Sequence, residues 1–392
     1  MVIIGATDVD KAFYSHETGI DWNVIFLLLG MMIIVGVIHK TGLFEFLAIK
    51  AIKLAKGEPK RALVFLIILT AVASAILDNV TTILLAVPMT LVVCKQLNVS
   101  PIPFILSQVF ASNIGGAATL VGDPPNIIIA SRANLSFNDF LIHMAPWVIV
   151  VMLVITPMLV FMFRKQLVNA PEDRTRISKL DENSYLKDKV LLRKSLFVLG
   201  AVMIAFVLHT TLHLEPSIVA MLGAGLLVGI SGLKPKDYAM DVEWGTLVFF
   251  AGLFIMVGAL VKTGALGEFA TFLKEQVGDQ ASLAAMVLLF VSAILSGIVD
   301  NIPYVASMSP VVTELAANVS DKHGDVLWWS LAFGADFGGN ATIIGASANV
   351  VAIGLAHKAG IKISFWQFAK YGIPVTLVSV LLVAPYILIR YF

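Results

Sequence analysis

The stretch Asn113-Ile-Gly-Gly-Ala-Ala-Thr-Leu-Val-Gly-Asp-Pro-Pro-Asn126 lies between two short apolar runs, Phe104–Phe110 and Ile127–Ala130. Its three glycines and the Pro124-Pro125 pair do not fit a regular membrane helix. Unwound backbone is tolerated at membrane depth only where it is buried in protein or lines a cavity. The stretch therefore predicts a broken helix at a functional site. A glycine packing face between helices is the alternative.

Oxygen atoms are the chemically useful groups of this stretch. Its carbonyls, including those of Gly115 and Gly116, and the side chains of Asn113, Thr119 and Asn126 are hard ligands suited to a small cation such as sodium. A carboxylate at the same place, Asp123, is suited to binding a cation or carrying a proton.

The pattern recurs in Asp336-Phe-Gly-Gly-Asn-Ala-Thr-Ile-Ile-Gly-Ala-Ser-Ala-Asn349. The candidate ligands of this second stretch are Asp336, Asn340, Thr342 and Asn349. Ala346 stands where the first stretch has Asp123, so the two predicted sites differ chemically. Other polar matches follow at a nearly constant offset, among them Asp21-Trp22 with Glu243-Trp244. The chain therefore consists of two repeats.

Two further polar interruptions lie at repeat-equivalent positions. Asp78-Asn79 with Thr81 separates one pair of apolar flanks, and Asp300-Asn301 separates another. The apolar flanks are too short to span a membrane twice comfortably, which predicts re-entrant hairpins with the two aspartates near their tips. Pro303 is expected to break the helix at the second hairpin, because proline removes a backbone donor. Capping of the following half-helix is the alternative role for each aspartate, and it is compatible with ion binding.

Composition assigns the chain to the membrane. Hydrophobic types make up 58 % of the 392 residues and charged types only 14 %, whereas soluble domains carry about 25 % charged residues. A net charge of +1 argues against a nucleic-acid partner, and the single Cys94 excludes an internal disulfide. No spacing of a catalytic triad, phosphate loop or zinc site appears, so the chain is expected not to be an enzyme. We predict a multi-pass protein of the cell membrane, with lipid as its main solvent.

The remaining apolar runs predict about ten membrane segments in all, several of half length. These runs are Trp22–Ile38, Ala62–Leu77, Val80–Val93, Phe140–Phe163 (long and uninterrupted), Leu196–Leu212, Ser217–Ile230, Gly245–Val261, Ser282–Val299, Ile302–Leu315, Leu327–Phe333, Val350–Ala356 and Phe368–Ile389.

Positive charge predicts the orientation. Residues 164–194 and Lys50–Arg61 are rich in Lys and Arg, which places both in the cytoplasm. Residues 1–163 are then the first repeat, 164–194 a cytoplasmic linker and 195–392 the second repeat. Counting the helices places Lys274–Gln280 on the outer side of the membrane, whereas its counterpart in the first repeat, Lys50–Arg61, lies on the cytoplasmic side. The repeats are therefore expected to be inverted.

The second repeat begins with two helices that have no counterpart ahead of Trp22. We expect that two N-terminal helices are missing from the first repeat and that Met1–Thr7 is the tail of one of them. A naturally shorter first repeat is the alternative.

The motifs at Leu77–Leu85 and Ser112–Ile129 closely resemble the P protein branch of the ion-transporter superfamily, which also contains arsenite permeases, NhaD-type antiporters and dicarboxylate symporters. The resemblance covers essentially the whole chain. It implies a homodimer with a scaffold domain and an elevator-like transport domain. In the dicarboxylate symporters each hairpin tip reads Ser-Asn-Thr, whereas Leu77-Asp78-Asn79 and Val299-Asp300-Asn301 stand here. The carboxylates favour proton coupling over a dicarboxylate substrate.

The resulting hypothesis is a secondary active transporter that moves a small inorganic ion or oxyanion, of the arsenite or anion permease type, coupled to H⁺ or Na⁺. A Na⁺/H⁺ antiporter and an anion channel are the alternatives. No cofactor is expected. Na⁺ as a coupling ion is expected at six residues, namely Asn79, Thr119, Asn126, Asn301, Thr342 and Asn349.

Overall fold

The computed structural model describes residues 8–15, 19–168, 182–264, 266–268, 270–271, 280–318 and 324–392. Within these ranges the chain is helical, without a strand. Seven helices of the described ranges are long and apolar enough to cross a membrane, which confirms the all-α polytopic class. Met1–Thr7, residues 169–181 of the predicted linker and nearly all of Lys274–Gln280 lie outside the described residues.

The helices are α1 (Val9–Tyr14), α2 (Trp22–Lys40), α3 (Leu43–Leu54), α4 (Pro59–Ile76), α5 (Asn79–Leu97), α6 (Ile102–Gly116), α7 (Pro124–Ala133), α8 (Phe137–His143), α9 (Ala145–Phe163), α10 (Lys189–Leu212), α11 (Pro216–Ser231), α12 (Pro235–Ala239), α13 (Trp244–Lys262), α14 (Ala281–Ser296), α15 (Asn301–Asn318), α16 (Gly324–Gly338), α17 (Ser347–Lys358) and α18 (Phe365–Tyr391).

Helices α4 and α5 form the first hairpin, and the chain reverses between them at Leu77-Asp78. For this hairpin the expectation of flanks too short to span is wrong, because the two helices have 18 and 19 residues and both reach spanning length. Polar residues at their outer ends, such as Lys60 and Gln96, continue each helix past its apolar run.

The second hairpin consists of α14 and α15. Here the expected role of Pro303 is wrong. It lies in the first turn of α15, where an amide hydrogen has no helical partner, so the proline fits the start of the helix. The chain leaves helical geometry before it, between Ser296 and Asn301, and the amide of Tyr304 closes the first turn on the Asp300 carbonyl at 3.2 Å.

Both predicted helix breaks are present. Residues 117–123 separate α6 from α7, and residues 339–346 separate α16 from α17, with one short 3₁₀ turn at Ile343–Gly345. The first arm of each hairpin packs on the first arm of the broken helix in its own half, α4 on α6 and α14 on α16. The second arms also exchange partners across the halves, since α5 packs on α17 and α15 on α7, besides their contacts with α6 and α16 of their own halves. This exchange brings the hairpin tips and both unwound segments into one region.

The prediction of one uninterrupted segment over Phe140–Phe163 is wrong. The chain forms α8 and α9 with a break at Met144, and Pro146 lies in the first turn of α9. Helix α10 also begins earlier than expected, at Lys189 inside the predicted linker.

Contacts at both ends of α2 fix the direction of its repeat partner α13. Lys40 at the end of α2 pairs with Asp241 just before α13 at 2.7 Å. Lys262 at the end of α13 approaches Asp8 at 3.9 Å, and Asp8 caps α1, which the Trp22 indole at the start of α2 contacts through the Phe13 carbonyl at 2.9 Å. The two helices are therefore antiparallel, an arrangement that inversion of the repeats requires.

The predicted cytoplasmic segments lie together at the Lys40 end of the molecule. The ammonium of Lys53 pairs with Glu182 of the linker, and this hydrogen bond lowers the pKa of the Glu182 carboxyl. The amide of Lys187 donates to the carbonyl of Thr41 at 2.9 Å.

Candidate ion-binding site

Each hairpin tip carries an aspartate that caps the helix after it. One carboxylate oxygen of Asp78 accepts from the amide of Thr81 at 2.8 Å, and the other accepts from the Thr81 hydroxyl at 2.5 Å. Asp300 accepts from the amide of Ile302 at 3.0 Å and from the hydroxyl of Ser347 at 2.6 Å. The capping role is thus present at both tips, and it leaves each carboxylate beside the cavity described next.

A cavity of about 450 Å³ lies between the two tips. Three carboxylates line it, those of Asp78, Glu243 and Asp300, together with the hydroxyls of Thr246 and Ser347. Among its described lining residues there is no Lys, Arg or His. The cavity therefore offers negative charge and oxygen ligands without a positive side chain to balance them.

Sequence reasoning missed Glu243, Thr246 and Ser347 as site residues. The signal for Glu243 was available, because Glu243-Trp244 is the repeat partner of Asp21-Trp22. A position at the start of a helix gives no indication that the side chain turns inward, so the repeat match alone did not identify it.

Behind the cavity, a buried network centres on the Asp123 carboxylate. The amide group of Asn79 donates to it at 2.9 Å, and that of Asn301 donates at 3.4 Å. Asp123 is fully buried and lies within electrostatic range of Asp336, Asp300 and Asp78. Both hairpins thus stabilise one carboxylate that the first unwound segment supplies.

Asn113 joins the two halves of the chain. Its amide group donates to the side-chain oxygens of Asn340 at 3.0 Å and Asn349 at 2.9 Å, and its own oxygen accepts from Asn79 at 3.4 Å. The predicted ligand oxygen of Asn113 is therefore already engaged, and its position makes it a connector.

Asn113→Ala should destabilise the protein by about 1–3 kcal/mol, because it leaves two buried acceptor oxygens without a donor. Thermal unfolding of the purified protein in detergent would measure this loss. Asn113→Asp is the informative companion, since it keeps the size but replaces the donor with an acceptor. A melting temperature unchanged in both variants would contradict the connecting role.

Several buried oxygens have no hydrogen-bond partner among the described residues. Among them are the side-chain oxygens of Asn79 and Asn126 and both carboxylate oxygens of Asp336. The Asn126 amide group faces the Asp336 carboxylate without reaching hydrogen-bond geometry. The described residues contain no group of three or more His, Cys, Asp or Glu placed to hold a metal ion. A cation here would therefore rely on amide and carbonyl oxygens as well as a carboxylate.

The threonines of the unwound segments hold the hairpin ends. The Thr119 hydroxyl donates to the carbonyl of Ala75 at 2.6 Å, and the Thr342 hydroxyl donates to that of Gly297 at 2.7 Å. The amide groups of Asn126 and Asn349 donate to the carbonyls of the same two threonines at 3.0 and 2.8 Å. These predicted sodium ligands thus form one matching set of hydrogen bonds in each half. The two threonine hydroxyls donate their hydrogens to backbone carbonyls of the hairpins and so stabilise the fold.

Gly115 and Gly116 allow close backbone contact. A Cβ atom on Gly115 would lie 2.4 Å from the carbonyl oxygen of Ala71, and one on Gly116 would lie 2.6 Å from that of Gly122. The lack of a side chain at these glycines therefore determines how closely the backbone of the broken helix approaches the hairpin.

The "Citrate transporter" family model matches residues 1–334. An uncharacterised transporter of Mycobacterium tuberculosis is 55 % identical over 100 % of this chain and 92 % of its own length. The human P protein is 33 % identical over 97 % of this chain and 55 % of its own length. The YdaH transporter of Alcanivorax borkumensis shares the fold, with a TM-score of 0.63, 11 % identity and coverage of 99 % of this chain and 86 % of that one.

These matches confirm the predicted resemblance to the ion-transporter superfamily. Together with the seven spanning helices they make the protein a multi-pass membrane transporter. The chain belongs to the citrate transporter family.

Proposed function

We propose that the protein is a secondary active transporter that exchanges a small monovalent cation for protons. The observation that carries this proposal is the cavity that Asp78, Glu243 and Asp300 all line, without a basic residue among the described lining. Ionisable groups at membrane depth are costly and mark ion pathways. Three of them on one cavity favour a site that is occupied in turn by protons and by a metal cation.

Charge is the reason for preferring a cation to an oxyanion as the bound species. The described lining of this cavity offers a free anion carboxylates, hydroxyls and apolar side chains but no positive side chain, and repulsion between unit charges of the same sign at low dielectric is strong. The alternative of a Na⁺/H⁺ antiporter is therefore favoured over the arsenite or anion permease type. An anion channel is disfavoured for the same reason.

The family description supports a second candidate, a carboxylate anion such as citrate. The lining requires that such an anion enters with cations that neutralise it. Proton- or sodium-coupled uptake of the anion would then use the same carboxylates.

Movement follows from how the segments pack. The hairpins and the broken helices interlock through α5 with α17 and α15 with α7, so we propose that they move as one unit against α2, α10, α11 and α13. Alternating access of this kind, in a homodimer, is the mechanism that the resemblance implies.

Flux measurements in proteoliposomes with an imposed pH gradient test the proposal. We expect the gradient to drive accumulation of ²²Na⁺ against its own gradient, which a channel cannot do. Chloride, arsenite and citrate are tested in parallel, the last with and without Na⁺ or Mg²⁺. Gradient-driven uptake of chloride or arsenite with no cation flux would overturn the cation assignment. Downhill flux alone would overturn active transport.

A further inference from the structure

The two tip aspartates stand at equivalent positions in the repeats, but the residue three places further along the chain differs. Thr81 follows Asp78 and supplies both donors to its carboxylate, the amide at 2.8 Å and the hydroxyl at 2.5 Å. The residue three places after Asp300 is Pro303. Proline has no amide hydrogen and no hydroxyl, so the second hairpin lacks both of the donors that Thr81 gives to the first.

Asp300 receives its two hydrogen bonds from other positions. The amide of Ile302 donates to one carboxylate oxygen at 3.0 Å, and the Ser347 hydroxyl donates to the other at 2.6 Å. Ser347 belongs to a different element, because it is the first residue of α17, the second arm of the broken helix. The orientation of the Asp300 carboxylate therefore depends on a contact between hairpin and broken helix, whereas that of Asp78 is fixed within its own hairpin.

The counterpart of Ser347 in the first repeat is a proline. Alignment of the two glycine-rich stretches places Ser347 opposite Pro124, the first residue of α7. The first half thus has its hydroxyl in the hairpin, at Thr81, and its proline in the broken helix. The second half has its proline in the hairpin, at Pro303, and its hydroxyl in the broken helix. Both prolines lie in the first turn of a helix, where proline is tolerated, so each half keeps one hydroxyl for its own aspartate.

This exchange of proline and hydroxyl lies at the cavity between the tips. Pro124, Pro303 and Ser347 line the cavity together with both aspartates. A carboxylate has about four lone-pair sites, so the bond from the hydroxyl leaves positions at which Asp300 can contact a cation. A side chain that is already oriented loses less conformational freedom when its ligand binds. A hydroxyl donor should therefore strengthen cation binding at each aspartate.

We propose that Ser347 is a positioning residue that orients the Asp300 carboxylate for the transported cation and replaces the hydroxyl that Pro303 cannot supply. This inference rests on the proposed cation exchange. It makes binding at the second tip dependent on the contact with α17, whereas the first tip carries its own donor in Thr81.

Initial rates of ²²Na⁺ uptake into proteoliposomes, measured over a range of Na⁺ concentrations, test the inference. Ser347→Ala should raise the KM for Na⁺ about fivefold or more, the loss expected for one hydrogen bond to a charged group, and keep the maximal rate within about twofold. Ser217→Ala is the matched control. It removes a hydroxyl that donates to Asn23 at 2.9 Å at the start of α11, outside the cavity, and its KM should stay within about twofold of the wild type.

Pro303→Thr in the Ser347→Ala background separates positioning from a general loss of structure. A threonine at position 303 stands in the same relation to Asp300 as Thr81 does to Asp78, so it supplies a hydroxyl from the hairpin. We expect the KM of this double variant to return to within about twofold of the wild type. Melting temperatures in detergent show which variants are folded.

The first repeat provides the reciprocal pair and decides the question if Pro303→Thr does not fold. Thr81→Ala should raise the KM in the same way, and Pro124→Ser added to it should lower the KM again. An unchanged KM in an active Ser347→Ala protein, or a raised KM that a folded double variant does not lower, overturns the role of Ser347 and leaves cation exchange standing. A wild type that moves no cation overturns both proposals.

Discussion

Replacing Asp78 or Asp300 with asparagine should reduce pH-driven cation flux by about a hundredfold or more, equivalent to ~2.7 kcal/mol. Asparagine caps a helix about as well as aspartate, so each variant keeps the hydrogen bonds at its hairpin tip. What it loses is the negative charge that faces the cavity. The substitution therefore separates the two roles that the structure shows for these residues.

The control for this experiment is Asp21→Asn, which changes the capping residue of α2 away from the cavity. Folding of every variant is checked by size exclusion and melting temperature. If Asp78→Asn and Asp300→Asn retain the proton dependence of the wild type, both aspartates are helix caps only and the proposed coupling is wrong.

Adding a methyl group to Gly115 or Gly338 should be strongly destabilising. The new Cβ would lie 2.4 Å from the Ala71 carbonyl oxygen in the first case and 2.5 Å from that of Ala293 in the second. Both neighbours are backbone atoms in the hairpin arms α4 and α14, so neither can rotate away. We expect each alanine to cost about 3 kcal/mol or more, at the upper end of overpacking effects.

Gly225→Ala in α11 and Gly252→Ala in α13 are the matched controls, because nothing lies within 4 Å of the added atom. Alanine also has the higher helix propensity, so their melting temperatures should be equal to that of the wild type or higher. The melting temperature of each variant, measured by thermal unfolding in detergent, is compared with that of the wild type. Gly115→Ala and Gly338→Ala proteins as stable as the controls would show that hairpin and broken helix do not pack as described.

The broken helices were predictable from the sequence because glycine and proline act locally. Gly115 lies in the last turn of α6, Gly122 lies in the break itself, and Pro124 is the first residue of α7, so the break falls between them. Polar matches between the halves likewise indicated which residues to compare. The Ser74 hydroxyl bonds the Ser112 carbonyl and that of Ser296 bonds Ala335, so the repeat extends to individual contacts.

Helix lengths and the directions of side chains were harder to predict from the sequence. Apolar runs understate a helix whose polar ends continue the same geometry, as at Lys60 in α4 and Lys189 in α10. The split at Met144 and the place of Pro303 depend on tertiary packing and on position within the first turn. Glu243 required coordinates, because only the fold shows that this residue at a helix start lines the same cavity as Asp78 and Asp300.

Proton release on cation binding tests the central claim most directly. Purified protein in weakly buffered detergent solution is mixed with NaCl, and a pH indicator follows the free protons. If cations and protons compete for the carboxylates of the cavity, Na⁺ should release protons from the wild type, and the release should disappear in the Asp78→Asn, Asp300→Asn double variant. No release from the wild type, or an equal release from the double variant, would contradict the account.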